Sequence, residues 1–190
     1  MARKYTVLVS AFFFLLFQYS CQQSQDSTKS DPVPFPFEEK DIAFLTEGFQ
    51  NGDFSIEEVT QAFIDRIDEI DKNGHGLNSI IQVNPDAVSI ARQLDEALKN
   101  GDILGPLHGI PVVLKDNIDT HDKMPTTAGS RAMANSFPLQ DSYVAMKLRE
   151  AGAVIIAKAN LSEWANFRGE MSSSGWSGVG GQTRNPYVLD

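Results

Sequence analysis

Cysteine is nearly absent: Cys21 is the only one in the 190-residue chain. No internal disulfide can form, and the paired-cysteine spacings of structural zinc sites are missing. Histidine is scarce too. His75, His108 and His121 show no ligand-like spacing to one another, so no metal site is expected. Positive charge is in deficit, with 16 basic against 25 acidic residues and a formal net charge of -9. A nucleic-acid partner, which needs a basic stripe to replace counterions, is not expected. The longest apolar run, from Tyr5 to Phe17, is short of the roughly 20 residues that cross a bilayer as a helix. The chain shows no internal repeat.

What is present begins with an address. Arg3 and Lys4 give a positive start, the run containing Phe12, Phe13, Phe14, Leu15 and Leu16 comes next, and Ser20 precedes Cys21. This is the pattern of a secretion signal. Ser20-Cys21 resembles a bacterial lipobox, in which the cysteine is lipidated and becomes the mature N-terminus. The alternative is an ordinary cleaved signal in which Cys21 is incidental. Gln22 through Asp31 are polar and cannot bury a core. Pro32, Pro34 and Pro36 stiffen the end of this polar stretch. The reading is a signal over residues 1–21, a tether over 22–37 and a folded body over 38–190, in an exported protein held at the bacterial envelope by a lipid on Cys21.

The body has ordinary globular composition, 42% hydrophobic and 22% charged. A helix is expected over Glu38–Gln50 with Ile42, Leu45 and Phe49 on one face, broken by Asn51-Gly52. Ser55 and Glu58 form a capping box for a second helix carrying Ile56, Val59, Phe63, Ile67 and Ile70. Leu77–Val83 reads as a strand. Asn84-Pro85 opens a helix carrying Val88, Ala91, Leu94 and Leu98. Ile110–Leu114 and Val154–Ala157 read as buried strands. Between them lies a helix from Asp141 to Gly152, with Val144, Leu148 and Ala151 inward. Asn160 and Glu163 are expected to cap a short helix holding Trp164. Alternation of this kind gives an α/β fold with layers around a sheet.

Two stretches carry chemistry. In the first, Gly105 to Asp119, Lys115 comes directly after a buried apolar strand. Desolvation there disfavours the ammonium and would make the amine a usable base. The competing reading is a structural lysine paired with Asp116 or Asp119, and the local sequence leaves both open. The second, Ser172 to Tyr187, is rich in serine and glycine, which let backbone amides approach a ligand closely. It lacks the Gly-Lys-Ser/Thr ending of a phosphate loop. A plain surface loop is the other reading.

Taken in order, these segments resemble the amidase signature family. Leu107-His108-Gly109-Ile110-Pro111 running into Lys115-Asp116-Asn117-Ile118 is similar to that family's lysine motif, and Thr127-Ala128-Gly129-Ser130 to the loop after it. Leu148 to Ala153 and Lys158 to Trp164 resemble the next block, and Gly181-Gln182-Thr183-Arg184-Asn185-Pro186-Tyr187 the segment before the glycine-serine signature. Trp164 to Gly169 and Gly175-Trp176-Ser177 look most like the peptide-amidase branch. The resemblance covers about Glu38 to Asp190. It implies an α/β/α sandwich with a mixed, twisted central sheet and a Ser-Ser-Lys triad with Lys115 as the base, and no cofactor. It also implies substrate contacts near Asn166 and Ser174. Both serines are expected after Tyr187, so these 190 residues are expected to be an N-terminal piece, incomplete as a fold and inactive alone. The expected substrate is a small amide or a peptide C-terminal amide. The alternatives are the glutaminase subunit of a tRNA-dependent amidotransferase, against which the export signal argues, and a non-catalytic binding protein. Oligomeric state is not legible.

Overall fold

Three strands organise the body, and their order reflects what each must bury. A computed structural model describes residues 34–167, 169–171 and 173–189. The expected signal, Cys21 and the tether up to residue 33 lie outside the described residues. The unit holding all named elements runs Phe37–Asp190. Phe37, placed by the sequence at the end of the tether, packs edge-on against Phe54 with ring centroids 5.2 Å apart and stacks on Phe63. It is part of the body.

Helix α1 is Ile42–Asn51 and helix α2 is Ile56–Arg66, which runs on into a π-helical turn, Ile67–Lys72. Helix α1 starts later than its hydrophobic spacing suggests because the Asp41 carboxylate accepts from Phe44 N–H at 2.8 Å and sets the cap there. Ile42, expected inward, faces solvent; Leu45, Gly48 and Phe49 are the buried positions. The capping box of α2 is present in full, Ser55 receiving Glu58 N–H and Glu58 receiving Ser55 N–H. Two more N–H groups of that helix start, those of Ile56 and Glu57, are met by the Asp95 carboxylate at 2.8 and 2.9 Å. A helix end leaves its first N–H groups without partners, and here the missing acceptor comes from another helix.

Strand β1 is Ile80–Val83, helix α3 Ala87–Asn100, strand β2 Pro111–Lys115, helix α4 Tyr143–Glu150 and strand β3 Val154–Ala159. Asn84 works differently from the expected cap. Helix α3 begins at Ala87, while the Asn84 side chain accepts from Asp86 N–H and donates to the Ile155 carbonyl. The sheet order is β1-β3-β2, with β1 antiparallel and β2 parallel to β3. Helix α4 is the crossover that parallel β2 and β3 require.

Helices lie on both faces of this mixed sheet. On one, Val59, Ala91 and Leu94 pack with Val154, Ile156 and Ala157; on the other, Leu114, Met124, Ala145 and Ile155 form a smaller core. Ala145 is the fully buried position of α4, whereas Val144, expected inward, is exposed. Leu148, half-buried on the same helix, packs against this core as expected. The β2/β3 register slips between Val112 and Val113, so that Ile156 is an extra residue in β3. This bulge lets consecutive Ile156 and Ala157 serve one core and turns Lys158 to the opposite face. A short hairpin, β4 Trp176–Ser177 and β5 Gly181–Gln182, completes the described elements.

Candidate active site

At the carboxyl end of β2, Lys115 and Asp116 point to opposite faces, as neighbouring strand residues must. Lys115 is exposed, and its Nζ donates to the Asn160 carbonyl at 2.8 Å. The burial expected of it from the apolar run before it is therefore absent among the described residues. So is the ion pair with Asp116 or Asp119: the carbonyl is its acceptor.

Asp116 is fully buried and has its own task. Its carboxylate accepts from the Thr127 hydroxyl and from the N–H groups of Thr127 and Gly129, at 3.3 and 3.4 Å, while its carbonyl accepts from Ala128 N–H at 2.8 Å. These bonds hold the Thr127–Ser130 loop, in which Ala128 takes a left-handed φ of 49°. Burial pushes the Asp116 carboxyl above its ordinary pKa, against the hydrogen bonds from Thr127 and Gly129. On the adjacent strand Lys158 is also fully buried, donating to the Ile118 carbonyl at 2.7 Å and to Thr126 Oγ1 at 2.9 Å. Burial lowers its pKa, opposed by the charges of Asp116, Asp122 and Asp119.

The glycine-rich hairpin is fastened to this frame by Asn160. Its Oδ1 accepts from the Ser177 hydroxyl at 2.7 Å, and Ser177 Oγ in turn accepts from Gly180 N–H at 2.8 Å. The fit is close: a Cβ on Gly129 would stand 2.6 Å from Ser177 Cβ, and one on Gly180 2.6 Å from the Asn160 side chain. Only glycine leaves room at these positions. Asn160 is therefore a strut between segments rather than the helix cap that its sequence context suggests. Glu163 likewise accepts from Gly178 N–H at 2.9 Å. With neither residue free to cap, the expected helical turn is replaced by Trp164, Ala165 and Asn166 in left-handed conformation, φ 51°, 55° and 62°. Such backbone costs on the order of 1 kcal/mol or more per residue and persists only where surroundings impose it.

This strained segment walls two clefts. The larger, about 830 Å³, is bounded by Trp164, Asn166, Trp176, Met133 and Gln182. The smaller, about 420 Å³, is bounded by Asn117, Thr127, Ala128, Leu161 and Trp164. Of the residues that the sequence assigns to substrate, Asn166 is on the wall of the larger cleft. Ser174 is exposed at the turn before β4, where its carbonyl accepts from Gln182 Nε2 at 2.8 Å. Sequence reasoning misses the buried pair Asp116 and Lys158 and the hub Asn160 as site-building residues. A signal for Lys158 exists: a lysine directly after an apolar run, the same feature that singles out Lys115.

A profile of the family described as Amidase matches residues 58–190. The chain belongs to the amidase family. The native peptide amidase of Stenotrophomonas maltophilia superposes with a TM-score of 0.80 at 48% identity, over 82% of this chain and 32% of that one. An amidase family protein from Bacillus anthracis superposes with a TM-score of 0.74 at 40% identity, over 79% of this chain and 29% of its own. A glutamyl-tRNA(Gln) amidotransferase subunit from Acidothermus cellulolyticus is 42% identical over 136 residues, 71% of this chain and 25% of that protein. The chain thus spans at most 32% of the length of these three relatives. The α/β architecture with a mixed sheet is that of the amidase neighbours.

Proposed function

We propose that these residues are the base-bearing part of an enzyme hydrolysing amide C–N bonds, with Lys115 as the base. The observation that carries the reading is Lys115 itself, an exposed amine fixed by one hydrogen bond of 2.8 Å beside the glycine-rich hairpin that Asn160 holds. The family resemblance supplies the partners, two serines expected beyond Tyr187. One serine oxygen attacks the amide carbon as its proton passes through the second serine to the Lys115 amine. The tetrahedral intermediate collapses, the C–N bond breaks, and the leaving amine takes that proton. Water repeats the sequence on the acyl-enzyme. Backbone N–H groups of the serine-bearing turn stabilise the oxyanion.

The substrate class proposed is a small amide or a peptide C-terminal amide, supported by the 48% identity with a peptide amidase. Asn166 contacts substrate from the cleft wall. Ser174 contributes through the turn that fixes Gln182. The experiment is ammonia release from peptide amides, and separately from glutamine, by the longest reading frame containing these residues. Release from peptide amides supports the proposal. Release from glutamine alone favours the second reading, the amidotransferase glutaminase, which rests on the 42% identity with the Acidothermus cellulolyticus protein. No release from either sinks both.

We also propose export with a lipid on Cys21, on the strength of the Arg3-Lys4 start, the apolar run and Ser20-Cys21. Palmitate labelling of the expressed protein tests it, with label expected on the wild type and none on Cys21→Ser. An unlabelled wild type overturns it.

A further inference from the structure

We infer that Asn160 is a positioning residue for Lys115, acting through its own peptide bond. This rests on the reading of Lys115 as the base. The carbonyl that receives Lys115 Nζ belongs to the peptide unit joining Asn160 to Leu161. The N–H at the other pole of that same unit, on Leu161, donates to Asn160 Oδ1 at 2.9 Å. The side chain thus grips the peptide plane whose carbonyl holds the lysine.

That grip is itself immobilised. Asn160 is buried, and Oδ1 also receives the Ser177 hydroxyl at 2.7 Å. The Nδ2 group lies within hydrogen-bond reach of the Asn78 carbonyl at 3.1 Å, the Gly181 carbonyl at 3.1 Å and Thr183 Oγ1 at 3.0 Å. The Asn160 N–H donates to the Ser79 carbonyl at 2.8 Å. Segments far apart in sequence, at the start of β1 and in the glycine-rich hairpin, therefore fix one amide plane. An exposed lysine has a flexible four-carbon stem and three rotatable donors. Tying one N–H to a fixed carbonyl sets one tetrahedral direction of Nζ, and the lone pair of the neutral amine must lie along one of the others. A displacement of about 1 Å at such a group can cost on the order of 100-fold in rate.

The test is a double-mutant cycle in the full-length enzyme, read as kcat and KM on an activated anilide substrate. Asn160→Ala is expected to lower kcat by about 10- to 100-fold with KM within about two-fold of wild type. In a Lys115→Ala background the same substitution is expected to change kcat by less than about two-fold, since nothing remains to be positioned. An equal fold-loss in both backgrounds makes Asn160 merely structural and overturns the inference, as does a folded Asn160→Ala enzyme with wild-type kcat. Should Asn160→Ala fail to fold, Thr183→Val and Ser177→Ala each remove one of its bonds, and the same cycle decides: losses confined to the Lys115 background support the inference, losses in both overturn it. A Lys115→Ala enzyme with undiminished kcat sinks the reading of Lys115 as base instead, and is thereby distinguishable.

Discussion

Lys115 is the last residue of β2 and Lys158 the last but one of the neighbouring parallel strand β3, and each comes after a run of apolar residues. They meet opposite fates. Lys158 is fully buried, held by a carbonyl and a threonine hydroxyl, with its pKa lowered by burial. Lys115 is exposed and tied by a single carbonyl. The two look alike in sequence because an apolar run reports only the burial of the strand. Which face the next residue takes is decided by register. The bulge at Ile156 turns Lys158 toward the smaller core, and the unbroken end of β2 sends Lys115 to the open side. Among the described residues, it is placement on the open side that marks Lys115 as the reactive candidate.

Several substitutions would break this contrast. The largest effect is expected from Lys115→Ala in the full-length enzyme, a fall in kcat of about 100- to 10,000-fold, the range that general bases contribute; steady-state kinetics on a peptide amide measures it. In the 190-residue chain its stability cost is expected within about 0.5 kcal/mol, because there the side chain is exposed. Lys158→Met should do the reverse. It leaves the Ile118 carbonyl and Thr126 hydroxyl without their donor and buried Asp116 without its nearby cation. The expected loss is about 3 kcal/mol in urea unfolding. A cost below about 1 kcal/mol would place Lys158 with the surface lysines.

Gly129→Ala comes next, at about 2 kcal/mol, because φ is 77° and the new Cβ meets Ser177 Cβ at 2.6 Å. Thermal unfolding checks it, and a companion Ser177→Gly should recover part of the loss.

The smallest effect is on pH dependence, and its sign is set by the two buried groups. The folded pKa of Lys158 is lowered, so between that value and the ordinary lysine value of about 10.4 the unfolded chain binds more protons. Stability from this group rises with pH across that window. The stability gap between wild type and Lys158→Met should therefore widen toward alkaline pH. Asp116 runs the other way. Its folded pKa is raised, so its contribution is full below about pH 4 and is lost as pH rises through the folded value. Measured against Asp116→Asn, the wild type should lose ground over that rise. Unfolding midpoints of the three proteins across pH decide the matter. Parallel curves would mean that folding leaves both groups at their ordinary pKa values.

Much of the frame is legible in the sequence because its signals are local. The Ser55–Glu58 capping box, the Gly52 helix end and the apolar run Val154–Ala157 each depend on residues within a few positions. What the sequence hides is non-local. Asp95 finishes the cap of α2 from a different helix, and nothing near Ser55 announces it. Asn160 reads as a cap because asparagine is a favoured N-cap residue and Glu163 comes three positions later. Its actual partners, Asn78, Ser177, Gly181 and Thr183, come from both sides in sequence. The family pattern singles out Lys115 but not its exposure, because the pattern carries no register.

Strand β3 contains one residue more than its ladder with β2 uses, and that surplus makes it tolerant in an unusual way. Deleting Ile156 would shorten the strand to a regular pleat in which Ala157 still faces helices α2 and α3 and Lys158 still faces the smaller core. The cost would be one buried isoleucine and the hydrogen bond that its carbonyl accepts from Asn84 N–H at 2.8 Å. A deletion at Ala157 draws on the same slack, with Ile156 moving into its place. Removing both residues exhausts it: the pleat inverts and an ammonium is driven among Val59, Ala91 and Leu94. The spare residue is thus a buffer for chain length, sited where a slip would carry a charge into oil.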